Sequence, residues 1–250
     1  MVLKLNNVNM EFYNEYAKLD VLNDISFEVG EGEIVAIIGP SGSGKTTILN
    51  LISGLLKPTT GTIEVNGKIG YMFQRDHLFE WRTIYRNVIL SLEIQNKLTT
   101  ENIGGVLRML KTYGLWEFRN SKPSELSGGM RQRVALIRTL ATSPDLLLLD
   151  EPFAALDYQT KLLVSEDMYR IIKNEKKTTI MVTHDLSEAI AMSDRIIVLS
   201  DRPAEIIKIH DIVLTLDQER TPLSSRKAPE YREYFDMLWR ELNASKNKGD

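Results

Sequence analysis

Gly39-Pro40-Ser41-Gly42-Ser43-Gly44-Lys45-Thr46-Thr47 is the stretch whose reading decides the fold. It has the spacing G-x-x-x-x-G-K-[ST] and stands where a phosphate-binding loop must stand. An apolar run with β character, Ile34-Val35-Ala36-Ile37-Ile38, precedes it. A helical pattern follows, with Ile48, Leu49, Ile52 and Leu55 on a shared face. The glycines allow backbone angles that other residues resist, so several N–H groups can converge on phosphate oxygens. The new helix turns its positive end toward the same anion. Lys45 is placed to supply a point charge to the β- and γ-phosphates, and the Thr46 hydroxyl is a candidate Mg²⁺ ligand. The context predicts a nucleoside triphosphate as ligand.

Bulk properties narrow the partners. The 250 residues are 43% hydrophobic and 26% charged, ordinary for a soluble globular chain. A net charge of −3 offers no basic excess to neutralise nucleic-acid phosphates. The chain has no cysteine, which excludes disulfides and thiolate metal sites and fits a reducing compartment. Three histidines leave little for a metal cluster. The start, Met1-Val2-Leu3-Lys4-Leu5, lacks a secretory apolar region, and no apolar run approaches the ~18–20 residues that span a bilayer. Any membrane role is therefore expected to be peripheral.

Outward from the loop, residues 2–12 and 21–29 read as strands, the second alternating Ile25, Phe27 and Val29 with Ser26 and Glu28. A short strand is expected at 62–66. The Asn66-Gly67 dipeptide then predicts a hairpin, with Ile69 to Phe73 as the returning strand. Residues 75–142 change to helical texture, with patterned segments near 83–96, 100–113 and 128–142. Asp145 to Asp150 is a continuous apolar run of the parallel-sheet kind. A helix near 157–175, a strand at 178–183, a short helix near 186–192 and strands near 195–200 and 204–210 follow. Residues 211–229 are polar and read as a linker or ordered loop. A last helix near 229–242 carries Tyr231, Tyr234, Phe235, Leu238 and Leu242 on one stripe, expected to pack on the main body.

Several polar residues stand at the ends of these strands. Asp150 and Glu151 close the Leu-rich run, where paired carboxylates suit a ligand-facing position. Asp150 can hold Mg²⁺ opposite Thr46, and Glu151 can orient or deprotonate an attacking water. His184 follows Ile180-Met181-Val182-Thr183 and is a candidate γ-phosphate contact; Gln74 ends another strand and can reach Mg²⁺ or water. Ligands of open α/β sheets sit at the carboxyl ends of strands, so these residues should meet in one crevice. Ser127-Gly128-Gly129 opens a helix with exposed N–H groups, a second anion site. Two phosphate sites so far apart in sequence suggest a shared ligand, within a monomer or across a dimer.

Taken together, the loop, Gln74, Leu126-Ser127-Gly128-Gly129, the Asp150-Glu151 strand, Ala155-Leu156-Asp157 and His184 resemble the ATPase subunit of ABC transporters. The likeness runs from about residue 2 to 210. It implies an α/β P-loop NTPase (RecA-like) core with a small antiparallel β-subdomain and an inserted helical subdomain. On that pattern residues 1–210 form the ATPase domain: core and β-subdomain 1–74 and 143–210, helical subdomain about 75–142. Residues 211–250 form a tail with the helix near 229–242.

The resemblance also implies two copies sandwiching two ATP. Ser127, Gly128 and Gly129 would cap the γ-phosphate held by the other copy, Asp157 would cross the interface, and Gln74 would link the γ-phosphate to the helical subdomain. Phe12 falls where the family places an adenine-stacking aromatic, with Tyr13 and Tyr16 as rivals. The pattern implies a docking groove for transmembrane permease subunits beside Gln74, with Phe79 and Trp81 as candidate contacts or subdomain core. A solute-binding protein would join indirectly, and the ATPase would sit on the cytoplasmic face of the membrane. Departures are Met130, where glutamine is commonest, and Glu80, where proline is frequent. The segment from Phe73 to Thr83, with the C-terminal aromatic helix, is most similar to the nitrate, sulfonate and taurine importers. A soluble ABC-type ATPase acting on ribosomes or nucleic acid, and a P-loop kinase, are the competing classes.

Overall fold

The structure is a computed structural model describing residues 1–13 and 17–246. Strands β1 (Leu3–Tyr13) and β2 (Lys18–Val29) pair antiparallel, and β3 (Ile34–Ile38) leads through the phosphate loop into helix α1 (Lys45–Ile52). Strand β4 (Thr60–Val65) returns to β1, completing a three-stranded sheet in the order β2-β1-β4. Strand β5 (Ile69–Met72) enters the second sheet. Helices α2 (Ile84–Val88), α3 (Leu90–Ile94), α4 (Thr100–Thr112) and α5 (Gly128–Leu140) follow. The chain then alternates β6 (Leu146–Asp150), α6 (Tyr158–Asn174), β7 (Thr178–Val182), α7 (Leu186–Met192), β8 (Arg195–Leu199) and β9 (Ile206–Asp211). Short α8 (Pro222–Ser225) and long α9 (Glu230–Lys246) end it.

The second sheet runs β5-β6-β7-β3-β8-β9, parallel except for the edge strand β9. Every residue of β3, β6 and β7 is buried, because both faces of the sheet are covered. Alternation sorts the side chains by face. Leu147, Leu149, Ala36 and Ile38 join the core under α5, α6 and α7, whereas Leu146, Leu148, Val35 and Ile37 join the core shared with α1 and the antiparallel sheet. An unbroken Leu run is what two apolar faces require.

The Asn66-Gly67 hairpin does not form. Strand β4 pairs with β1 and β5 pairs in parallel with β6, so the turn passes the chain from one sheet to the other. The glycine is still required: its φ is 114°, and an added Cβ would lie 2.4 Å from Asp145 Oδ2, which accepts the Lys68 amide instead. The dipeptide specifies a local bend, whereas the partner strands are chosen by distant residues.

Helices α2 to α5 bury a core of their own, built on Ile84, Val88, Leu92, Val106, Leu110, Val134 and Ile137. Helix α5 serves two cores, since Ala135, Leu136 and Leu140 face the main sheet. Buried Asn87 pins the segment before α2, accepting from the Phe79 amide (2.7 Å) and donating to the Phe79, Arg82 and Thr83 carbonyls. Residues 211–229 are ordered against the body. Arg220 pairs with Asp194 and donates to the Ser193 carbonyl, and the Leu223 amide donates to Glu166. Leu238 of α9 is fully buried in the main core, with Tyr231, Tyr234, Phe235 and Leu242 packed beside it.

Candidate functional site

The phosphate loop is built to leave its polar groups open. Helix α1 begins at Gly44, whose φ of 96° is left-handed and which offers no side-chain cap to the first-turn amides. A Cβ there would come within 2.9 Å of Val21 Cγ1 and Leu22 Cδ2, so both conformation and space demand glycine. Ser43 Oγ is buried without a hydrogen-bond partner among the described residues. The Lys45 ammonium folds back on the Gly39 and Pro40 carbonyls at 2.9 and 2.8 Å. Burial lowers the Lys45 pKa, and the charges of Glu151 and then Asp150 oppose that shift. Uncapped amides, an orphan hydroxyl and a buried cation together form a cradle for a polyanion.

Asp150 ends β6 against α1. Its Oδ1 accepts from Thr46 Oγ1 at 3.1 Å, and Tyr71, which also donates to Asn50, lies at 3.5 Å from Oδ2. Burial raises the Asp150 pKa, the Thr46 hydrogen bond opposes it, and Glu151 adds to it. A desolvated carboxylate beside a hydroxyl is an oxygen donor pair suited to a hard divalent cation, so these residues fit Mg²⁺.

Glu151 leaves the strand in the left-handed region at φ 43°, with its amide held by the Val182 carbonyl at 2.9 Å. A non-glycine residue there carries ~1–3 kcal/mol of strain, which the adjacent strand must hold in place. The turn delivers the carboxylate to two partners. Gln74 Nε2 donates to Oε2 at 3.3 Å, and His184 Nδ1 lies 3.2 Å from Oε1. The turn carrying His184 is itself pinned: the Asp185 amide donates to Thr183 Oγ1, Asp185 caps α7, and Lys161 bridges Asp185 and Glu188.

These elements enclose a cleft of about 670 Å³. Ser41, Gly42, Gly44, Lys45, Thr46, Thr47, Glu151 and His184 line it, together with Phe12, Leu19, Val21 and Arg202. Of the aromatic rivals, Phe12 lines the cleft, Tyr13 does not and is 70% exposed, and Tyr16 lies outside the described residues. Leu19, Val21, Tyr71 and Arg202 were not anticipated. Their places come from cross-strand pairing and a distant turn, and no spacing in the sequence announces them.

Ser127, Gly128, Gly129 and Asp157 lie outside this cleft. Ser127 caps α5 by accepting the Met130 amide, and Asp157 caps α6 by accepting from Thr160. The Asp157 carboxyl is held below its usual range by the Thr160 hydroxyl and then its amide. Gly129 also has a packing reason, since a Cβ would stand 2.5 Å from Val164 Cγ2 where α5 crosses α6.

The ABC transporter family matches residues 22–154, from the middle of β2 through the Asp150-Glu151 turn. The chain belongs to that family. It is 42% identical to an uncharacterised ABC transporter ATP-binding protein of Bacillus subtilis, across 97% of this chain and 96% of that one. It is 39% identical to a nitrate import ATP-binding protein of Synechocystis, across 95% of this chain and 94% of that one. The fold superimposes on the ATP-binding cassette MJ0796, solved as a dimer in a post-hydrolysis state with ADP and Pi. The TM-score is 0.71 and the identity 33%, over 84% of this chain and 99% of the other. This cassette is therefore an α/β P-loop ATPase that binds and hydrolyses ATP. Among the described residues, no helix is long and apolar enough to cross a membrane.

Proposed function

We propose that this cassette powers uptake of a small anionic solute of the nitrate, sulfonate or taurine kind, working as a dimer that closes around two Mg-ATP. The observation that carries the reading is the separation, within one chain, of the phosphate cradle from the Ser127–Gly129 turn. A helix start bearing two glycines, set away from its own chain's cleft, supports an ATP shared between two copies. On this reading each residue has a step. Phe12 stacks on the adenine, and the amides of residues 41–47 with Lys45 hold the phosphates. Thr46, Asp150 and Gln74 would hold Mg²⁺, which neutralises charge on the phosphate oxygens when bound. Glu151 accepts the proton of the attacking water, His184 steadies the γ-phosphate, and Asp157 crosses to the second copy. Movement of the helical segment 75–142 passes closure to the permease.

The docking region supports a membrane partner. Beside Gln74 a groove of about 610 Å³ lies between the main sheet and the helices, lined by Tyr71, Phe73, His77, Leu90, Ile94 and Arg138 among others. Phe79 stacks on Trp81 with centroids 4.7 Å apart, and Trp81 is 71% exposed. The Asn87 hydrogen bonds that hold this ledge rigid support its use as a contact surface. On this reading the cassette sits peripherally on the cytoplasmic face, with the solute-binding protein reached only through the permease.

The test is to tag the chain in its native host, solubilise membranes in mild detergent and identify what copurifies. A multi-spanning permease is expected, and its binding protein would name the solute. Recovery of ribosomal or nucleic-acid components instead would leave the ATP chemistry standing and remove the transport reading.

A further inference from the structure

Arg202 stands in the turn between β8 and β9 and forms part of the wall of the nucleotide cleft. The turn is fixed on both sides. The Ala204 amide donates to the Val21 carbonyl, and the Asn23 amide donates to the Ala204 carbonyl, each at 2.9 Å. Leu199, just before it, packs so closely on the start of the phosphate loop that a Cβ on Gly39 would lie 3.0 Å from Leu199 Cβ. The turn is thus seated between the first residue of the loop and the strand that supplies Leu19 and Val21.

The cleft has two cations, and they differ. Lys45 is buried and its ammonium is occupied by two backbone carbonyls. Arg202 is exposed and has no hydrogen-bond or ion-pair partner among the described residues. A free guanidinium on the wall of a polyanion site is available to the ligand. Its planar fork suits phosphate and ribose oxygens.

Resting on the nucleotide reading of this cleft, we propose that Arg202 is a nucleotide-binding residue that contacts the ribose and α-phosphate end of ATP. The γ-phosphate end is already occupied by Lys45, Asp150, Glu151 and His184, which approach from the carboxyl ends of the central strands. Arg202 approaches from the β2 side, beside the residues that face the base. Because ADP keeps the ribose and the α-phosphate, the contact serves both nucleotides alike. It sets how tightly the spent nucleotide is held before release.

The experiment is to titrate wild type, Arg202→Ala, Arg202→Gln and Arg202→Lys with ATP and with ADP, in the absence of turnover. Arg202→Ala and Arg202→Gln should weaken both nucleotides by the same factor, ~3–10-fold for an exposed charge-assisted contact. Arg202→Lys should recover part of the loss. The gap between wild type and Arg202→Ala should shrink as salt rises from ~0.05 to ~0.5 M, because the pair is solvent-screened. Arg202→Gln keeps much of the side-chain stem, so a matched loss there separates charge from packing. Weakening of ATP alone would overturn the assignment, as would unchanged affinities in the variants. If wild type bound neither nucleotide, the cleft reading beneath it would fall as well.

Discussion

Two helices of this cassette start on glycine-rich turns, and the two starts are finished differently. Helix α1 opens from Gly44 with no side-chain cap, an orphan Ser43 hydroxyl below it and a buried lysine beside it. Helix α5 opens from Ser127, whose hydroxyl already accepts the Met130 amide. The first start is chemically incomplete until a polyanion arrives, so phosphate itself is its cap. The second has its Met130 amide capped within its own chain, while its other first-turn amides have no intrahelical acceptor. On the proposed dimer, binding and completion of the site would be divided between an uncapped helix end and a capped one.

That contrast can be broken most forcefully at Glu151, which belongs to the incomplete half. Glu151→Gln should lower phosphate release by ~10²–10⁴-fold while ATP still binds, the usual range for loss of a general base. With hydrolysis blocked, ATP should move the variant from monomer to dimer on size exclusion. An unchanged turnover removes the catalytic assignment, and a persistent monomer at high concentration removes the shared-ligand explanation for the two helix starts.

A somewhat smaller effect is expected at the capped start. Ser127→Arg places a long side chain on an exposed cap without touching the P-loop cleft. ATP affinity of the isolated chain should hold, while hydrolysis falls by ~10²-fold, as when donors to a developing charge are lost. Full hydrolysis in this variant would mean that each cleft works alone.

The smallest effect sharpens the point that the cradle is built at the expense of the empty fold. Burial holds the Asp150 pKa above its ordinary value, so the folded chain binds more protons than the unfolded one in the window above that ordinary value. The contribution therefore favours folding at low pH and turns unfavourable as pH rises through the folded pKa. Asp150→Asn should raise the nucleotide-free melting midpoint at neutral pH by ~2–4 °C, about 1 kcal/mol for a chain of this size. The gain should fade on acidification. A lower midpoint at neutral pH would show that the Thr46 hydrogen bond outweighs the burial.

Much of this cleft was legible from residues in a row, because its chemistry is local. The Gly44 angle, the order Lys45-Thr46, and carboxylates closing an apolar strand each depend on the immediate chain. Phe12 could not be separated from Tyr13 without the β1–β2 pairing, which sets Phe12 opposite Leu19 and Tyr13 opposite Lys18. Arg202 was invisible for the same reason: its position depends on hydrogen bonds between Ala204 and residues 21 and 23, almost two hundred residues earlier.

The Asn66-Gly67 turn marks the boundary between the two kinds of information. The sequence by itself determined that the chain bends there, because only glycine tolerates the angle beside Asp145. Tertiary structure alone decided that β4 joins β1 and β5 joins β6, since strand pairing is settled by which apolar faces are buried together. The same division holds across the molecule. Loop angles, caps and the nature of the ligand follow from short-range sterics and charge. Which cation is left free, which aromatic faces the cleft and which helix start points away from it follow from packing between distant segments.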